Sequence, residues 1–182
     1  MRLAAVTGLG IMLLALGGCV SLPEPEAEPE RYVLNPIPPA GEGVRASAPG
    51  DLGLAMPEVD PGLDSRRIAV IRGDRRLSHY ADAVWAAPLP DLLRAFFAGS
   101  IENRLGITPW RQGASRLELT TVVRAFQAEY PDSREEPPVL RVVLVAALRD
   151  GRTGEVVART REVRRRPAAA NRLDAVTGAL EA

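Results

Sequence analysis

The most regular pattern in the chain begins at Leu89. Leu89, Leu92, Leu93, Phe96, Phe97, Ile101 and Leu105 recur at spacings of three and four residues, with Asp91, Arg94, Glu102 and Arg104 placed around them. That is the period of an amphipathic helix. Pro90 suits the first turn, where its missing N–H is not needed, Asp91 complements the positive end of the helix, and Gly106 fits the C-terminal cap. The spacing predicts a helix over 89–105.

On either side the period shortens to two or merges into apolar runs, as expected of strands. Tyr32-Val33-Leu34, Leu52 to Met56 and Arg67 to Ile71 are strand candidates, stopped by Asn35-Pro36, Pro57 and Gly73-Asp74. Further on, Arg116 to Tyr130 places Leu117, Leu119, Thr121, Val123 and Ala125 on one face. Val139 to Arg149 is apolar on both faces and belongs in the middle of a sheet. Glu155 to Arg165 is arginine-rich and suits an edge, where charge discourages unwanted pairing. Asp150 to Gly154 reads as a hairpin loop and Pro131 to Pro138 as a longer polar one. Leu173, Val176, Thr177 and Leu180 mark a short amphipathic helix. The order predicts an α+β fold: an antiparallel-rich sheet of about four to six strands, with one long helix and a C-terminal helix packed on one face.

The N-terminus follows a different pattern. Arg2 precedes an uncharged run from Leu3 to Leu16, then Gly17, Gly18 and Cys19. A positive start, an apolar stretch of about 7–15 residues and small residues before a cut are the features of a secretory signal. The run is shorter than the roughly 20 residues a membrane-spanning helix needs. LGGC at 16–19 resembles the lipobox of bacterial lipoproteins, in which the cysteine is acylated and the chain is cut before it. Cys19 is the chain's one cysteine, so it has no intramolecular disulfide partner, and lipidation accounts for both its presence and its solitude. Residues 1–18 therefore read as a lipoprotein signal peptide. Residues 19–31 read as a lipidated cysteine and a Pro/Glu-rich tether, VSLPEPEAEPER, extended at about 3 Å per residue and reaching roughly 30–40 Å. Residues 32–182 form the domain. In bacterial lipoproteins an aspartate after the cysteine favours inner-membrane retention; Val20 stands there, which by that resemblance points to the periplasmic face of the outer membrane.

Composition narrows the chemistry. Aromatic residues make up 4% of the chain, too few for a base-stacking platform, and 23 acids balance 23 basic residues. Nucleic acid is therefore not the expected partner. Every basic residue is arginine, which rules out a lysine Schiff base or a phosphate-binding-loop lysine. With one histidine and one lipidated cysteine, a His/Cys zinc cluster is unavailable, so no metal and no cofactor are expected beyond the lipid on Cys19. Ser78, His79 and Asp82 lie close in sequence, but triad members converge from separate segments and neighbours on an extended strand face opposite ways. The expectation is a protein without catalysis. Tyr80 and Trp85, beside Pro88, Leu89 and Pro90, read either as packing at the helix start or as a partner-docking surface, because rings supply large contact areas at low entropic cost.

YVLNP at 32–36, MPEV at 56–59, GLDSRRIAV at 62–70, LSHYADAVWAAPLPDLL at 77–93, VRAFQAEY at 123–130 and PPVLRVVLVAAL at 137–148 follow one another behind the lipobox. In this order they resemble the ABC-type transport auxiliary lipoproteins, the paraquat-inducible-protein-C-like family. The resemblance implies a non-catalytic, periplasm-facing lipoprotein that works with a mammalian-cell-entry (MCE) domain protein, often with an ABC permease and ATPase, in moving lipid between membranes. It implies docking of that assembly at the outer membrane, and homo-oligomeric rings in some relatives. Relatives generally carry a longer final helix. The alternative is a lipoprotein activator or pilot of another envelope machine, a cell-wall synthase or a secretion or LPS pore, which shares the anchor, the tether and a small α+β domain. A domain that handles lipid by itself would need an apolar pocket of several hundred Å³.

Overall fold

The computed structural model describes residues 28–39, 52–73, 76–111, 115–131 and 136–181. The expected signal peptide, Cys19, most of the expected tether and residues 40–51 lie outside the described residues. Among the described residues the chain forms one sheet of nine strands and two α-helices. The strands are β1 (Glu30–Tyr32), β2 (Leu52–Leu54), β3 (Glu58–Val59), β4 (Arg67–Arg72), β5 (Arg76–Trp85), β6 (Trp110–Arg111), β7 (Leu117–Tyr130), β8 (Val139–Asp150) and β9 (Val156–Pro167). Helix α1 spans Leu89–Leu105 and α2 Leu173–Glu181, and a short 3-10 turn covers Pro61–Leu63.

The long strand β7 organises the sheet. On one side it pairs antiparallel with β8, and β8 pairs antiparallel with β9. On its other side β2, β3 and β4 lie end to end, all parallel to it, with Leu52 opposite Leu117, Glu58 opposite Val122 and Val70 opposite Ala128. The chain from Leu52 to Arg72 is thus one broken strand, interrupted at Pro57 and at the 3-10 turn. β4 continues to β5 antiparallel and β5 to β1 parallel. The α+β class holds, while the expected strand count and pairing need correction: there are more strand segments, and the sheet is mixed. The physical reason is that short apolar runs separated by prolines can share one neighbour, and nothing in a run fixes the direction of its partner.

The predicted helix forms over the predicted residues. Pro90 sits in its first turn and Gly106 closes it at φ 66°, with its N–H donating to the Glu102 carbonyl at 2.9 Å. A left-handed cap favours glycine because a Cβ crowds the carbonyl there. Leu89 and Leu93 of α1 and Val176 of α2 join Ile68, Ala83, Trp85, Val123, Phe126, Ala128 and Leu140 in a single core cluster.

A bulge in β7 corrects a second expectation. Val123 pairs with Leu144 but Ala125 pairs with Val143, the next residue of β8, so Arg124 is the extra residue and Ala125 faces away from Val123. The bulge brings Phe126 and Ala128 into the core. Arg124, displaced outward, forms a 2.9 Å ion pair with Asp60.

The segment after β1 crosses α1. The Ser100 hydroxyl accepts the Ile37 N–H at 3.0 Å, and the Asn103 amide donates to the Ile37 carbonyl at 3.0 Å. Gly99 lies under the crossing: a Cβ there would approach the Pro36 ring to 2.6 Å.

Candidate functional site

The stretch HYADAVW lies on β5, where the ladder with β4 is irregular. Arg67 pairs with Val84 and Ala69 with His79, so two steps along β4 correspond to five along β5. Tyr80, Ala81, Asp82 and Ala83 are the residues between these pairs. A strand with surplus residues bends away from its neighbour and re-aims its side chains.

A cleft of about 590 Å³ opens there. The surplus residues of β5 form one wall, Glu28 and Glu30 of the incoming chain another, and Tyr130 at the end of β7 with Asn171 and Arg172 ahead of α2 and Leu173 at its start the rest. The Tyr80 and Tyr130 hydroxyls lie 2.9 Å apart, and Tyr130 donates to the Asn171 Oδ1 at 2.9 Å. The Arg72 guanidinium sits 4.8 Å from the centre of the Tyr130 ring, a cation–π contact. Burial, and then the hydrogen bond to Tyr130, push the Tyr80 phenol well above its ordinary range, so it stays neutral. Tyr32 donates to Glu30 at 2.7 Å, and that bond is the chief cause that pushes its phenol up to about 12. The cleft therefore offers the Tyr80 and Tyr130 hydroxyls and the Asn171 amide, with Glu28, Glu30, Asp82 and Arg172 among its lining residues.

The structure separates the other sequence-selected residues from this cleft. Trp85 and Leu89 are each 1% exposed and sit in the core. Trp85 packs against Phe126 with ring centroids 5.9 Å apart, tilted by 50°. Their backbone N–H groups are satisfied by the Arg66 and Ser65 carbonyls at 2.7 and 3.1 Å. Neither side chain offers a surface to a partner in this fold. Pro88, which precedes the first helical residue, Pro90 and Tyr80 retain partial exposure. Cys19 lies outside the described residues.

Sequence reasoning missed Asn171 and Arg172, which sit in an unpatterned loop and carry no local signal. Tyr130 was visible only as the last residue of VRAFQAEY. Glu30, assigned to the tether, begins β1 and pairs with Ala83.

The comparisons agree with this fold. The chain is similar to the crystal structure of protein XCC0632 from Xanthomonas campestris, of family DUF330, with a TM-score of 0.71 and 25% identity over 83% of this chain and 85% of that one. It also resembles the crystal structure of an uncharacterized protein at a TM-score of 0.64 and 14% identity, over 85% of this chain and 90% of that one, a likeness of fold. No curated protein gives a match. The model of the ABC-type transport auxiliary lipoprotein component matches residues 32–182, and the chain belongs to that family.

Proposed function

We propose that this protein is the non-catalytic, lipid-anchored accessory component of an MCE/ABC-type intermembrane lipid transport system. In this reading it is held by acylated Cys19 at the periplasmic face of the outer membrane and docks the transport assembly there. The observation that carries the proposal is the family match, which runs from Tyr32, the last residue of β1, through α2. The lipobox LGGC and the stiff Pro/Glu tether supply the anchor and the reach. The exposed parts of Tyr80, Pro88 and Pro90 are the docking contacts that remain once Trp85 and Leu89 are assigned to packing.

The test is crosslinking in the native envelope followed by membrane fractionation. The protein is expected to label with radioactive palmitate, to float with outer membrane, and to crosslink to an MCE-domain protein. A Cys19→Ala variant should lose label and membrane association together. Crosslinks confined to a cell-wall synthase or a secretion pore, with none to an MCE protein, would replace this reading with that of a pilot lipoprotein.

A further inference from the structure

Strand β9 takes no part in the core. Its 12 residues are all exposed except Glu162, which is half-buried. Val156, Val157 and Val163 are 44%, 60% and 42% exposed. Among the described residues β9 pairs with β8 alone, so the backbone N–H and C=O groups on its far side have no strand partner. A strand that buries this little stabilises its own domain weakly, and a long open edge is a template for adding a strand.

Charge decides which strand can be added. Register with β8 places Arg159, Arg161, Val163 and Arg165 on one face, opposite Ala147, Val145, Val143 and Arg141. Arg164 and Arg166 lie on the other face, where Glu162 pairs with Arg164 at 3.0 Å. Five arginines and one glutamate along the strand repel a second β9, since like charges directly opposite are unfavourable. The same row attracts a strand with carboxylates at every second position. The arginines therefore block self-pairing without closing the edge to every partner.

We infer that β9 is a β-augmentation site for an extended acidic segment of a partner protein, whose carboxylates on alternate residues pair with Arg159, Arg161 and Arg165 while an apolar residue covers Val163. The inference rests on the strand itself and is independent of the transport reading: it fails on peptide binding, whereas that reading fails on the identity of the crosslinked partner.

The test uses the full chain in detergent and four probes. These are a ten-residue peptide alternating valine and glutamate, its valine–lysine counterpart, the acidic peptide with two central residues replaced by proline, and phosphatidylglycerol vesicles. Saturable binding of the acidic peptide is expected, at least tenfold tighter than either control peptide, together with slowed hydrogen exchange of alternate β9 amides. R161E/R165E, at exposed positions where the fold is checked by its thermal melt, should weaken acidic-peptide binding at least tenfold and favour the lysine peptide. Equal binding of the proline-interrupted peptide would reduce the effect to unspecific charge attraction and overturn the inference. So would unchanged β9 exchange, or binding to the vesicles alone.

Discussion

Tyr130 donates its proton to Asn171, so in the 2.9 Å contact between the two phenols Tyr80 is the donor and Tyr130 the acceptor. The pair ties the surplus residues of β5 to the end of β7 and, through Asn171, to the start of α2. The two residues are 50 positions apart, and the hydrogen bond between them is part of what gives the cleft its shape.

Removing the Tyr80 hydroxyl deletes one donor, and removing the Tyr130 hydroxyl leaves the part-buried Tyr80 hydroxyl without this acceptor. Tyr80→Phe should cost about 1 kcal/mol and Tyr130→Phe about 1–3 kcal/mol in urea unfolding. The double variant should cost less than the sum. Additive losses would mean that the two hydroxyls act separately.

Trp85 is core. Trp85→Ala should cost about 3–5 kcal/mol and Leu89→Ala about 2–5 kcal/mol, from lost burial and the cavity left behind. The chain holds two tryptophans. A Trp110→Phe background therefore makes Trp85 the sole tryptophan, and under tryptophan-selective excitation blue-shifted emission that moves red at the urea midpoint is the expected readout. If Trp85→Ala kept full stability while losing partner binding, the residue would be a docking contact after all.

Gly99 interrupts a helix where alanine is usually better by up to about 1 kcal/mol. Here Gly99→Ala should destabilise instead, because the new Cβ lies 2.6 Å from a rigid proline ring. Removing both clashing atoms of Pro36, the Cγ at 2.6 Å and the Cβ at 2.9 Å, in Pro36→Gly with Gly99→Ala, should recover part of the loss in a thermal melt. No recovery would place the conflict elsewhere.

His79 is the chain's one histidine, and burial, with the nearby Arg67 charge second, holds its pKa below the ordinary 6.5. The unfolded chain then takes up the proton first. Its contribution to stability is present above pH 6.5 and is lost as pH falls from there through the folded-state value. His79→Gln should flatten this part of the stability–pH curve, measured by urea melts between about pH 7 and 5, before most carboxylates titrate. An unchanged slope would assign the loss to other groups.

What was legible in the sequence depended on whether a residue's role is local. Helix α1 and its cap could be read because period, Pro90 and Gly106 all act within a few residues of one another. β8 announced its central place by being apolar on both faces, and β9 its edge by its arginines. The end-to-end alignment of β2, β3 and β4 on β7 could not be read, since three short runs do not specify a shared neighbour. Alternation presupposes an unbroken ladder, so Ala125 was assigned to the wrong face: the register steps at Arg124. The cleft was half legible. Tyr80 and Asp82 stood out, whereas Glu28 and Glu30 looked like solvated tether, and Asn171 enters only through tertiary placement.

The junction at Glu30 has a mechanical meaning. β1 runs parallel to β5 with Glu30, Arg31 and Tyr32 opposite Ala83, Val84 and Trp85, and the chain then passes over α1 to be gripped at Ile37. Tension along the chain before Glu28 would load those strand bonds in shear, all at once, instead of peeling them one by one. The crossing at Ile37 forms a second stop, so a pull at the N-terminus is divided between sheet and helix before it reaches the core.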